Sequence, residues 1–220
     1  MTEARESILQ RLRSAGSPLG HLPEASDDYL HMVPRQDTTP AGLLERFVRQ
    51  AQAIDCQIHQ VDSEVDAIEV MLSLIGDDRR ILSWAFEHIP LEGFREELAA
   101  QKIQVEAAPD PSVRIGITGV DAALAATGSL VLQSGRGKPR LPSLLPPVHL
   151  AAVLSNQIVP DLETWVSGQR LAGLAGFRQN SSVMVVSGPS RTADIAMEPI
   201  LGMHGPGEVH VVVVGGSTSE

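Results

Sequence analysis

The chain has 220 residues, 43% of them hydrophobic but only 3% aromatic, and a formal net charge of −10. That length suits one sizeable domain, or a domain with an appendage, with a core of Val, Leu, Ile and Ala as in many α/β proteins. The acidity excludes generic affinity for nucleic acid or an anionic membrane, and four Phe, two Trp and one Tyr argue against a base-stacking platform.

Residues 2–14 place Ile8, Leu9 and Leu12 on one helical stripe, with Thr2 as a cap. The opening MTEARESILQRLRSAG carries charges throughout, so it is no apolar leader. No run of about 18 apolar residues follows, so no membrane span is expected and the cytoplasm is the expected location. Residues 16–40 hold Pro18, Pro23, Pro34 and Pro40 and read as a long arm, either wrapped over a partner or loosely packed. The expected division is 1–40, helix and arm, and 41–220, an α/β domain.

Thr39 and Pro40 open a helix as cap and first helical residue, with Leu43, Leu44, Phe47, Val48 and Ala51 on its buried face. CQIHQV then reads as a strand. Its Cys56 is the sole cysteine, so the chain forms no internal disulfide and holds no iron–sulfur cluster alone. An inert buried thiol is expected there. Val65 to Ile75 is helical, RILSW a strand, Leu91 to Ala100 a helix and KIQVE a strand. VRIGIT and SLVLQS are strands around a short helix from Asp121, with one strand direction left open. HLAAVLS is a strand, Asp161 to Leu171 a helix, and SVMVVS and VHVVVV the last strands. The alternation predicts a three-layer α/β/α domain with a largely parallel sheet.

In open parallel sheets ligands bind beyond the carboxyl ends of the strands. TGVD (118–121) follows VRIGI, SGRGKPR (134–140) follows SLVLQ, SNQ (155–157) follows HLAAVL, and SGPSRTAD (187–194) follows SVMVV. Glycine allows close backbone approach, Ser and Thr give hydroxyls, and Arg and Lys give charge-assisted bonds. A helix starting near Ser190 or Thr192 would aim free N–H groups at an anion. Four such loops converging would form a phosphate or carboxylate cleft. The same residues also read structurally: Asp121, Ser190 and Thr192 as caps, Asp194 as the partner of Arg191, and GRGKPR as a solvated turn.

GxGxxG, GxxxxGK[ST] and GxSxG are absent, as are HxH, HExxH and CxxC. These absences argue against a dinucleotide fingerprint, a P-loop, a serine hydrolase and a metal site. His204 precedes the turn Gly205-Pro206 and can face a cleft. His149 and His210 lie in strand runs and are expected to be satisfied by backbone or solvent.

ITGVDAALAATGSLVL, then RLPSLLPPVHLAAVLSNQIVP, then SGPSRTADIAMEPILGMHGPGEVHVVVV resembles the lactate utilization protein C family, the LUD-domain proteins. The likeness runs from about residue 113 to 214, and SGPSRTADI followed by HGP is its specific part. The resemblance implies the NagB/RpiA/CoA-transferase-like fold and a part in oxidising lactate to pyruvate beside two iron–sulfur proteins. Family members carry an acid just before TG and read TADIE, where this chain has Ala126 and Ala196. Ala126 offers no carboxylate to acylate, so glutamyl–CoA chemistry there is excluded.

Three readings follow. The first is an accessory subunit of cytoplasmic L-lactate oxidation that binds a small anionic ligand or nucleotide-like cofactor of open identity. Thr118, Gly119, Thr127, Gly128 and Ser129 would form one wall, and Ser190, Arg191, Thr192 and Asp194 the other. Arg140, Gln157 and His204 would lie on the rim. The alternative is a stand-alone enzyme of the CoA-transferase or ribose-5-phosphate-isomerase type, acting on a phosphorylated or carboxylate substrate with Asp194 or His204 as general base. The third is a scaffold that binds no small molecule.

Overall fold

Helix α2 (Pro40–Ala53) starts as its sequence suggests: Thr39 Oγ1 accepts a hydrogen bond from the Gly42 N–H at 3.2 Å, and Pro40 fills the first helical position. Its buried face carries Leu44, Phe47 and Ala51, and burying Phe47 alone contributes about 2 kcal/mol. This computed structural model describes residues 2–15, 37–106, 108–193, 199–202 and 204–215. Most of the expected arm, residues 16–36, lies outside them.

The chain divides into two compact units, residues 1–32 and 33–220. The first holds α1 (Thr2–Ser14), on which Ile8 and Leu12 are exposed. The second carries, after α2, strand β1 (Gln57–Val61), α3 (Glu64–Ile75), β2 (Arg80–Ser83), α4 (Phe94–Ala100), β3 (Gln104–Val105) and β4 (Ile115–Thr118). Then follow β5 (Ala122–Leu124), β6 (Ser129–Ser134), β7 (Val148–Leu154), β8 (Ile158–Val159), α5 (Leu162–Leu171), α6 (Ala175–Gln179) and β9 (Ser182–Val186). The described elements end with β10 (Arg191–Ala193), β11 (Pro199–Leu201) and β12 (Glu208–Val214).

Six parallel strands form the main sheet in the order β1-β12-β7-β4-β2-β3. Both faces are covered, which is why Val211–Val214 reads as one unbroken apolar run. Ile115, Val148 and His210 line a cavity beneath α3. On the opposite face Gly116 lies so close under the Pro142 carbonyl that a Cβ could not fit. The chain is an α/β protein with a largely parallel sheet flanked by helices, as its alternation predicts.

Strand order also fixes a switch point. From β2 the chain moves outward to β3, whereas from β4 it moves the other way to β7. The crevice beyond the carboxyl ends of β2 and β4 is therefore where an open α/β sheet offers a ligand site.

Three expectations need correction. The segment after Asp121 is not a helix: Ala122–Leu124 is β5, paired antiparallel with β6 and parallel with β8. Alanine's local helix preference yields to strand neighbours on both sides. Those strands belong to a second, four-stranded sheet, β8-β5-β6-β9, which no alternation count suggested. Nor does a helix start near Ser190 or Thr192, because Arg191–Ala193 pairs with Pro199–Leu201 as an antiparallel hairpin. The free N–H groups of a helix N-terminus are not supplied there. Finally, α4 begins three residues later than read, after Gly93 at φ 82°.

Candidate functional site

The loop after β6 lies across the switch point and is pinned there by three bonds. The Ala85 N–H donates to the Gly137 carbonyl at 2.8 Å, and Trp84 Nε1–H donates to the Pro139 carbonyl at 2.9 Å. Lys138 Nζ donates to Asp121 Oδ1 at 2.6 Å, with both side chains largely buried. Asp121 Oδ2 accepts the Gln133 N–H at 2.7 Å, so this carboxylate joins the end of β4 to the end of β6. The Lys138 ammonium also sits 5.3 Å from the Trp84 ring centroid. Its charge is thus already compensated. Arg136 and Arg140, in the same loop, are exposed, and no carboxylate pairs with either among the described residues.

Thr118 ends β4 fully buried, its Oγ1 2.9 Å from His149 Nε2. His149 is fully buried too, and burial pulls its pKa down to about 4. Its Nδ1 has no partner among the described residues. Gln157 Nε2 donates to the Val120 carbonyl at 2.7 Å while its Oε1 accepts the Leu154 N–H at 2.9 Å, tying β7 to β4. Gly119 must be glycine, because a Cβ would meet the His88 carbonyl. Thr118, Gly119 and Gln157 therefore lie at the carboxyl ends of β4 and β7, and exposed Arg140 follows the loop that crosses beside them.

The other expected residues gather elsewhere, around the turn from α2 to β1. Gly128, at φ 68°, packs on the backbone of Gln50 and Ala51, beside exposed Thr127. Ser129 Oγ lies 2.8 Å from Ser187 Oγ. Gly188 packs on the Ile54 carbonyl, and Arg191 forms an ion pair with Asp55. The Ser190 N–H donates to the Pro206 carbonyl at 2.7 Å. The nearby Gly207 N–H donates to the Pro147 carbonyl at 2.9 Å, just ahead of β7. Ser190 thus sits at the amino ends of β7 and β12, opposite the end that carries Thr118. His204 is exposed, and Asp194, Ala196 and the Thr192 side chain lie outside the described residues. Of the twelve expected positions, those placed here fall into two groups rather than one rim: Thr118, Gly119, Gln157 and Arg140, and Thr127, Gly128, Ser129, Ser190 and Arg191.

Sequence reasoning did not join Lys138 and Trp84 to Asp121, which it read as a helix cap or as part of the TGVD ligand loop. No local signal joins residues so far apart in the chain. His149 and His210 also differ from expectation, since both use side-chain partners. His210 Nδ1 lies 3.1 Å from His59 Nε2, and burial and the neighbouring imidazole lower the His59 pKa. Among the described residues no three His, Cys, Asp or Glu side chains are placed to hold a metal ion, and no helix is long and apolar enough to cross a membrane.

The LUD domain family model matches residues 44–214. A lactate utilization protein C from Exiguobacterium is 32% identical over 228 aligned positions, covering 96% of this chain and 95% of the relative. Another, from Halalkalibacterium halodurans, is 40% identical over 100 residues, 46% of this chain and 44% of that one. A crystal structure of a DUF162 family protein from Deinococcus radiodurans superposes with a TM-score of 0.62 at 22% identity, over 81% of this chain and 100% of the other, a likeness of fold. A domain match over most of its length and a relative alike from end to end agree: the chain belongs to the LUD-domain family.

Proposed function

We propose that the chain serves lactate utilization as an accessory subunit of L-lactate oxidation to pyruvate, working in the cytoplasm beside the iron–sulfur proteins of that pathway. Relatives named lactate utilization protein C, one of them matched over 95% of its own length, support this pathway. In this reading the chain binds a small carboxylate anion at the switch point, under the loop 134–140. The observation that carries the site is the pair Arg136 and Arg140: two exposed guanidinium groups without carboxylate partners among the described residues, in a chain of net charge −10. Guanidinium is suited to bidentate carboxylate recognition. Arg191, expected as the anion's partner, already faces Asp55 and is a weaker candidate.

The test is a melt of the purified chain against L-lactate, pyruvate, nucleotides, flavins and coenzyme A. A ligand at a hundred times its dissociation constant stabilises by roughly 2.7 kcal/mol, which a melt resolves easily. Arg136→Ala with Arg140→Ala should abolish the shift and slow growth of the host on L-lactate at unchanged protein level. Wild-type growth and an unchanged ligand shift in that double variant would remove the site from consideration.

A further inference from the structure

Strand β9 is one edge of the second sheet, without a further strand beside it among the described residues, and its unused backbone groups can be named. The Asp121 N–H donates to the Val131 carbonyl at 2.9 Å, and the Gln133 N–H donates to Asp121 Oδ2 at 2.7 Å. Val131 and Gln133 therefore turn their polar groups toward β5. Leu130, Leu132 and Ser134 turn theirs toward β9, opposite Val186, Met184 and Ser182. By alternation, the N–H and C=O of Val183 and Val185 point outward. They have no hydrogen-bond partner among the described residues.

Exposed edges are normally guarded by charge, proline or brevity. The main sheet follows that rule. Beside β3, Arg80 pairs with Asp110 at 2.7 Å and Glu106 at 3.4 Å. Asp55 and Asp62 bracket β1, and in the second sheet the other edge, β8, has only two residues. By contrast, no charged side chain occurs from Gln179 to Ser190. In a chain of net charge −10, this neutral strip is where two copies approach without repulsion. Apolar surface accompanies it: Val185 is 46% exposed, as is 38% of Phe177 in the helix leading into the strand.

We propose that β9 takes a second copy of this chain, strand antiparallel to strand, about a two-fold axis at Met184. In that register the Val183 N–H donates to the carbonyl of the second copy's Val185, and the Val185 N–H to that of its Val183. The symmetric bonds complete the set, so all four outward groups of each copy are used. Two four-stranded sheets become one of eight strands, an isologous contact.

The experiment is sedimentation velocity of the full chain over a dilution series, with amide hydrogen exchange at each concentration. The wild type should sediment at twice the chain mass when concentrated. The Val183 and Val185 amides should then be protected and lose protection on dilution, while Met184, bonded within its own sheet, stays protected. Val185→Lys should weaken the dimer at least about tenfold while leaving the urea midpoint of the diluted monomer unmoved. Should that variant fold poorly, Val185→Pro removes a donor that the chain's own ladder does not use. A monomer at every concentration overturns the proposal. So does a dimer indifferent to these variants, or one whose Val183 and Val185 amides exchange as freely as in the monomer.

Discussion

Thr118 and His149, on adjacent strands of the parallel sheet, meet at 2.9 Å with neither side chain reaching solvent. The pair ties β4 to β7 next to the switch point and leaves an imidazole where a charge is costly. His149 takes its proton only near pH 4 in the folded chain, whereas an unfolded histidine takes it near 6.5. Between those values the unfolded state binds more protons, so stability falls as pH drops from 6.5 and levels off near 4. The loss is on the order of 3 kcal/mol. Urea midpoints measured from pH 7 to 4 should fall more steeply for the wild type than for His149→Gln. Parallel curves would show that His149 protonates without penalty.

The Lys138–Asp121 pair carries a second expectation. Both side chains are mostly buried, and Asp121 retains only the Gln133 N–H once the ammonium is gone. Lys138→Met should cost about 1–3 kcal/mol, and adding Asp121→Asn should recover part of it. A double-mutant cycle in urea should give a coupling of about 1 kcal/mol or more. Additive effects would mean that the bond is spent on solvent exchange rather than on holding the loop.

These residues show what a sequence discloses and what it hides. Thr39 and Pro40 announced α2 because a cap acts within four residues, and VHVVVV announced a central strand because both of its faces are buried. Ala122–Leu124 did not announce β5, since its strand character comes from Ser129–Val131 and Ile158–Val159. Arg191–Ala193 likewise depends on Pro199–Leu201, and its Ser, Thr and Asp neighbours mimic a helix start. That Thr118, Gly119 and Gln157 lie at or just beyond strand ends was legible, because each follows an apolar run. Their separation from Ser129 and Arg191 was not, because it depends on the path of the β5–β6 hairpin.

Cys56 gives a third prediction. It is buried, and desolvation pushes its thiol up to about 11, against a slight opposing pull from the Gly188 backbone. At pH 8 the thiolate is then about a hundredfold scarcer than for a free cysteine. A disulfide reagent should label the folded chain at least that much more slowly than the chain in urea. Rapid labelling of the native chain would place the thiol at the surface and break the packing of Gly188 on the turn after α2.

Gly128 and Gly173 separate two reasons for a glycine. Both have positive φ, 68° and 70°. At Gly173 nothing lies within 4 Å of an added Cβ, whereas at Gly128 the Cβ would enter the backbone of Gln50 and Ala51. Gly173→Ala should therefore cost only the conformational term, about 1 kcal/mol. Gly128→Ala adds a collision with a helix backbone that has no rotamer to escape into, and should cost at least about 3 kcal/mol. Urea denaturation of the two variants gives the comparison. The difference between them measures how tightly the β5–β6 turn is seated on α2, and equal costs would mean that the turn can lift away from the helix.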